Sequence, residues 1–161
     1  MITGLRFQLP NKRFLFIRKE AIEKMVNHRQ LKRKDKEAGG IMIGRILVEN
    51  ENFIIDDVSE PKFDDIRKRH RFIRSPKGHQ EYFNMVWENN DGHCFYLGEW
   101  HTHPELIPTP SSVDNSDWNQ NLKRDHESDA LFFIIVGTKE IKVWHGCRKT
   151  GEITSLKGDH L

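Results

Sequence analysis

Cysteine is scarce. Cys94 and Cys147 are the only two in 161 residues, and they form neither a CxxC metal knuckle nor a disulfide framework. They read as two buried or half-buried thiols of a cytosolic protein. Charge of one sign is also lacking: 26 Lys+Arg face 24 Asp+Glu, for a net charge of +2. That balance gives no strong electrostatic case for a nucleic-acid or membrane partner. The longest apolar run, ALFFIIV at 130–136, falls far short of the roughly 20 residues that span a bilayer. The start, MITGLRFQLPNKRF, lacks the unbroken apolar stretch of a signal peptide. No internal repeat or low-complexity tract occurs. The expectation is a soluble, cytoplasmic protein with a single domain over residues 1–161, long enough to bury a core. A mean hydropathy of −0.72 points to long charged loops around that core.

The patterning that is present alternates strand and helix. KRFLFI (12–17) interleaves charge with Phe14 and Phe16 and reads as a strand. Ile22, Met25, Val26 and Arg29 recur at helical spacing, predicting an amphipathic helix over 19–31. AGGIMIGRILV (38–48) and FIIDDVSEP (53–61) flank an acidic turn and predict a hairpin. Residues 60–80 are densely charged and aperiodic, a long loop with room for one short strand. A helix over 78–89 follows, stopped by Asn89-Asn90-Asp91-Gly92. CFYLGEWHTHP (94–104) is a strand running into a proline, and TPSSVDNSDWNQNLKRD starts another helix. ALFFIIVG and IKVWHG close the chain as two strands. The order β-α-β-β-α-β-α-β-β implies an α/β fold, a mixed sheet flanked by helices, with strand 130–136 central and covered on both faces.

The chemistry concentrates in GEWHTHPELIPTPSSVD (98–114). Side chains two apart on a strand share a face, so His101 and His103 stand about 6.5–7 Å apart at Cα and can converge on one ion. Pro104 ends the strand and lets a pocket open beside the second histidine. A stiff loop then leads to a helix starting at Ser111, with Asp114 one turn along. Asp114 can supply a third ligand and leave a fourth position for water, the open arrangement of a catalytic zinc rather than a structural one. Ser111 and Asp114 also fit a helix capping box, which is compatible with ligation. A hydrolase needs a base, and two glutamates compete. Glu99 lies on the histidine face of the strand. Glu37 opens EAGGIMIG, whose glycines permit close approach of a neighbouring strand or substrate. Spacing alone leaves that choice open.

Glu37, then His101-Thr-His103-Pro, then Ser111-x-x-Asp114 resembles the motif of the JAMM (MPN+, JAB) zinc metalloproteases, in order and with the family's gap. The resemblance covers roughly residues 15–147. It implies a three-layer fold related to cytidine deaminases, one zinc ion on His101, His103 and Asp114, Glu37 as general acid/base, and Ser111 as oxyanion donor. Glu99 becomes a supporting carboxylate. The implied reaction is hydrolysis of an isopeptide or peptide bond after the C-terminus of a ubiquitin-like tail. YLGEWHTHPELIPTPSSVDNSDW is further similar to a stand-alone bacterial branch found in cyclic-oligonucleotide antiphage (CBASS) operons, where the conjugated protein is a nucleotidyltransferase. The implied partner is therefore a protein substrate with an extended C-terminal tail, without membrane or nucleic acid. The basic segment 60–80 (Arg67, Lys68, Arg69, Arg71, Arg74) is a candidate clamp for that tail, by strand addition. Two other classes compete. A non-catalytic scaffold of the same family lacks the ligands that are complete here. A nucleobase deaminase would need a PCxxC pair, which Cys94 and Cys147 do not provide.

Overall fold

Apolar alternation and turn chemistry produce the elements, and the topology brings their ends together. The computed structural model describes residues 4–160. In chain order the elements are β1 (Gly4–Gln8), β2 (Phe14–Arg18), α1 (Lys19–Val26), β3 (Gly39–Ile46), β4 (Phe53–Val58), β5 (Ile66–Lys68) and β6 (Arg71–Ile73). Then come α2 (Pro76–Asn89), β7 (Phe95–Thr102), α3 (Ser112–Leu122), β8 (Ala130–Val136), β9 (Ile141–Cys147), β10 (Ile153–Leu156) and β11 (Gly158–His160). Nine strands form one mixed sheet in the order β10-β9-β8-β7-β3-β4-β2-β1-β11, while β5 and β6 pair separately. The pairs β2–β4 and β7–β8 are parallel. Only Lys157 joins β10 to β11, the two outermost strands, so the sheet curls until its edges meet at that corner.

Helices cover both faces, as the predicted α/β class requires. All seven residues of β8 are buried. Phe132, Ile134 and Val136 join a cluster that includes Ala21 and Met25 of α1. Leu131, Phe133 and Ile135 pack instead with Trp118 and Leu122 of α3. On that second face α2 lays Tyr82, Phe83 and Val86 over Ile41 and Ile43. The result is a three-layer mixed α/β fold.

Four details differ from the sequence reading. Helix α1 stops at Val26 rather than Leu31, because Gln30 is drawn inward to bond the Arg69 carbonyl and the Thr102 hydroxyl. The middle strand is β3, not β8, which is doubly covered all the same. Segment 60–80 is a hairpin, β5–β6, leading into a helix that begins at Pro76. β1, β10 and β11 are too short and too polar to stand out as strands; pairing with their neighbours makes them so.

Candidate active site

A bulge in β7 selects the residues that face the cleft. Pairing between β3 and β7 slips between Met42↔Gly98 and Ile43↔Tyr96, leaving Leu97 without an opposite residue. Gly98 adopts φ 126° there, and a Cβ would stand 1.8 Å from the Phe132 carbonyl oxygen. Only glycine fits. As a result Leu97 and Trp100 both enter the α1-side core, whereas Tyr96 and Glu99 both line spaces on the opposite face. From Glu99 onward the alternation is regular and carries His101 to that face. His103 follows, its amide bonded to the Val136 carbonyl at 3.0 Å.

Asp114 arrives from the other side. At the start of α3 the Ser111 hydroxyl accepts the Asp114 amide proton at 3.1 Å, and Asp114 Oδ2 accepts the Ser111 amide proton at 2.8 Å. This capping box aims the carboxylate at the histidines. His101 Nε2 and His103 Nε2 are 3.0 Å apart, and they lie 3.3 and 3.1 Å from Asp114 Oδ1 and Oδ2. A tetrahedral shell with zinc–ligand distances of roughly 2.0–2.1 Å has edges of about 3.3 Å, so two imidazoles and a carboxylate at these separations fit that ion. Glu105 Oε1 accepts a proton from His103 Nδ1 at 2.7 Å, which reserves Nε2 for the cluster. Sequence reasoning missed Glu105; an acid two residues after a candidate ligand histidine was the available signal.

Glu37 stands just ahead of β3 and is 4% exposed. Its ligand atoms and those of His101 and His103 all lie within 4.8 Å of one another. Burial raises its carboxyl to about 7, against the lowering influence of the two histidines. Asp114 is different. Burial works to raise it, but hydrogen bonds from His101 and His103 outweigh that and hold it well below the usual carboxylate range. Two carboxyls in one site are thus driven in opposite directions, one poised to exchange protons and one kept charged. Burial lowers His103, and its bonds to Asp114 and Glu105 more than reverse this.

A buried chain of hydrogen bonds fixes the two halves of the site to each other. Thr102, between the histidines, accepts from the Ala38 amide at 3.0 Å and donates to Gln30 Oε1 at 2.9 Å. Gln30 in turn donates to the Arg69 carbonyl at 2.8 Å, reaching the β5–β6 turn. The hairpin forms one wall of a cleft of about 690 Å³ that includes Glu37, His101, His103, Ser111 and Asp114. Lys68 is exposed, but the four arginines of the segment are engaged by other groups. Arg67 bonds the Glu37 and Lys36 carbonyls, Arg69 the Lys32 and Arg33 carbonyls, Arg71 pairs with Asp117, and Arg74 pairs with Glu99 at 2.7 Å. Glu99, the rival base, is therefore engaged by an arginine.

The family model for prokaryotic homologs of the JAB domain matches residues 18–147. A Vibrio cholerae protein named CD-NTase/cGAS isopeptidase is 35% identical over 136 residues, covering 84% of this chain and 83% of that one. An Escherichia coli protein of the same name is 33% identical over 141 residues, covering 88% and 86%. A protein from Desulfitobacterium hafniense, solved in solution, shares the fold at a TM-score of 0.55 and 19% identity, over 89% of this chain and 88% of that one. The match over residues 18–147 and the relatives at 33–35% identity show that the chain belongs to the prokaryotic JAB family.

Proposed function

We propose that the protein is a zinc-dependent isopeptidase that releases a protein from its target by hydrolysing the bond after its C-terminal residue. The observation that carries this reading is geometric: the buried Glu37 carboxylate lies within 4.8 Å of the His101 and His103 ligand atoms, whose Nε2 atoms face Asp114 at 3.3 and 3.1 Å. The two relatives' shared name, CD-NTase/cGAS isopeptidase, supports a conjugated CD-NTase as substrate, and the resemblance to the CBASS-operon branch adds a place in antiphage signalling. His101, His103 and Asp114 would hold the ion, and Glu37, buried beside the two histidines, would be left for proton transfer. When bound, zinc supplies Lewis-acid activation of water and of the scissile carbonyl.

The chain's own residues divide the remaining work. Glu37 takes a proton from the attacking water and returns it to the amine that leaves as the C–N bond breaks. The Ser111 hydroxyl accepts the Asp114 amide proton, so its own proton is available to the oxygen that gains charge. Such a donor is typically worth about 3 kcal/mol. Glu105 keeps His103 in its ligating tautomer. The C-terminal tail lies in the cleft between the hairpin and the loop ahead of α3. β6 has no sheet partner other than β5 among the described residues, and its Phe72 and Ile73 line the cleft, so an extended tail can pair along its free edge.

Incubation with a protein joined through its C-terminus to a lysine tests the reaction. Expected is release of an intact C-terminal carboxylate and a free lysine amine, abolished by a zinc chelator and restored by zinc. Cleavage that survives complete metal removal would overturn the metal dependence. No cleavage of any C-terminal conjugate by the zinc-loaded protein would favour a non-catalytic scaffold.

A further inference from the structure

Beneath the hairpin, away from the zinc ligands, lies a second constellation of polar groups. Ser59 Oγ and His79 Nδ1 are 2.6 Å apart, and His79 Nε2 and Asp65 Oδ2 are 2.8 Å apart. Ser59 is 0% exposed, and the His79 and Asp65 side chains are 2% and 0% exposed. The order serine, histidine, aspartate is that of a hydrolytic triad, but the serine cannot act as a nucleophile here. Its oxygen accepts the Ile41 amide proton at 2.8 Å, and it lies in the interior out of reach of substrate. The proton directions follow from the acceptor at the end: the carboxylate takes the Nε2 proton, so Nδ1 accepts from the Ser59 hydroxyl.

We infer that this Ser59–His79–Asp65 relay positions the general base: it anchors the root of the β5–β6 hairpin, and the hairpin holds the Glu37 peptide. Asp65 directly precedes β5. Its Oδ1 accepts the Ser75 amide proton at 2.8 Å, just beyond β6, and its Oδ2 accepts the Lys62 amide proton at 2.7 Å. One carboxylate thus ties the two strands together at the root of the hairpin, and His79 on α2 with Ser59 after β4 anchors that root to the body of the fold. From this root β5 reaches Glu37. The Glu37 amide donates to the Lys68 carbonyl at 2.8 Å, and the Glu37 carbonyl accepts from Arg67 Nε at 2.8 Å. Both backbone groups of Glu37 therefore bond to the hairpin, and regular pairing with β7 begins only at Gly39. Phe72 packs over Gly39 so closely that a Cβ there would lie 2.7 Å from its ring. Gln30 secures the opposite end of the hairpin through the Arg69 carbonyl. The hydrogen bonds of the relay side chains run to one another and to the Ile41, Lys62 and Ser75 amides rather than to His101, His103 or Asp114, so loosening it displaces the base and leaves the metal site intact.

The inference rests on Glu37 as general base, and the experiment separates the two. Zinc-loaded Asp65→Ala, Arg67→Ala, the double variant and Ser75→Pro are compared with wild type. Ser75 has φ −79°, which proline tolerates, and its hydroxyl makes no cap bond, so that change removes the amide donor at the second root and covers the case in which Asp65→Ala does not fold. Expected in Asp65→Ala and Ser75→Pro is hydrogen exchange at the Glu37 amide faster by about 10-fold or more, with β8 amides and zinc content unchanged. Turnover at saturating conjugate falls by about 10-fold or more in each single variant, and the double variant loses no more than the worse single, because both act through one contact. Unchanged protection at Glu37, or losses that multiply in the double variant, would overturn the relay's role. Wild type that fails to cleave would count against the isopeptidase reading alone, since exchange at Glu37 still decides the relay.

Discussion

The Thr102 hydroxyl accepts the amide proton of Ala38 at 3.0 Å, so the residue between the two histidines holds the residue that follows Glu37. Thr102 is fully buried, and its proton goes to Gln30. Thr102→Val keeps the shape but strands a buried amide and a buried amide oxygen, at about 1–3 kcal/mol each. Expected is a loss on the order of 3 kcal/mol by chemical denaturation, while Thr102→Ser stays within about 1.5 kcal/mol because only a methyl is removed. Equal losses in the two variants would show that the hydroxyl is not what matters.

Glu105 sets the tautomer of His103 from outside the cluster. Glu105→Ala is expected to weaken zinc binding by about 10–100-fold, measured by competition with a chromophoric chelator. Unaltered affinity would mean that the contact does not orient the ligand.

Gly98 makes the bulge that turns Tyr96 and Glu99 to the same face. Gly98→Ala places a methyl against the Phe132 carbonyl and demands a positive φ of alanine. A destabilisation of at least about 3 kcal/mol is expected. A variant within about 1 kcal/mol of wild type would show that β7 and β8 can part without cost.

Acid stability depends on histidines outside the site. Burial lowers His79, His126 and His145 below their ordinary value. A lowered group contributes stability that is complete above the unfolded value near 6.5 and erodes as pH falls below it, because the unfolded chain takes the proton first. His145 on β9 is 7% exposed and packs against Phe132. His145→Leu should flatten the fall in stability between pH 7 and 5, by up to about 1.4 kcal/mol per pH unit. Comparing variant with wild type separates His145 from Glu37 and His103, whose raised values act in the opposite sense. Parallel pH curves for the two proteins would show that His145 takes no part.

The spacing of His101, His103, Ser111 and Asp114 was legible because each depends on local geometry: strand alternation, a proline stop and a helix cap. The three-layer class followed from the alternation of apolar runs with helical periods. What local pattern does not carry is long-range pairing. The 60–80 segment looked like a charged loop because its arginines spend their charge on carbonyls and carboxylates distant in the chain, among them Glu37, Lys32 and Asp117. The choice between Glu37 and Glu99 was likewise undecided by spacing. Folding separates them, burying Glu37 beside the histidines and pairing Glu99 with Arg74. The β7 bulge leaves only one trace in the sequence, a glycine within an otherwise ordinary strand.

Metal content and cleavage, measured on one preparation each of wild type, Asp114→Ala and Glu37→Gln, test the central claim most directly. Expected are about one zinc per chain in wild type, loss of zinc and activity in Asp114→Ala, and full zinc with a fall in turnover of about 100-fold or more in Glu37→Gln. Glu37→Gln that cleaves at the wild-type rate would contradict the assignment of the base. Wild type that takes up no zinc would contradict the metal centre itself.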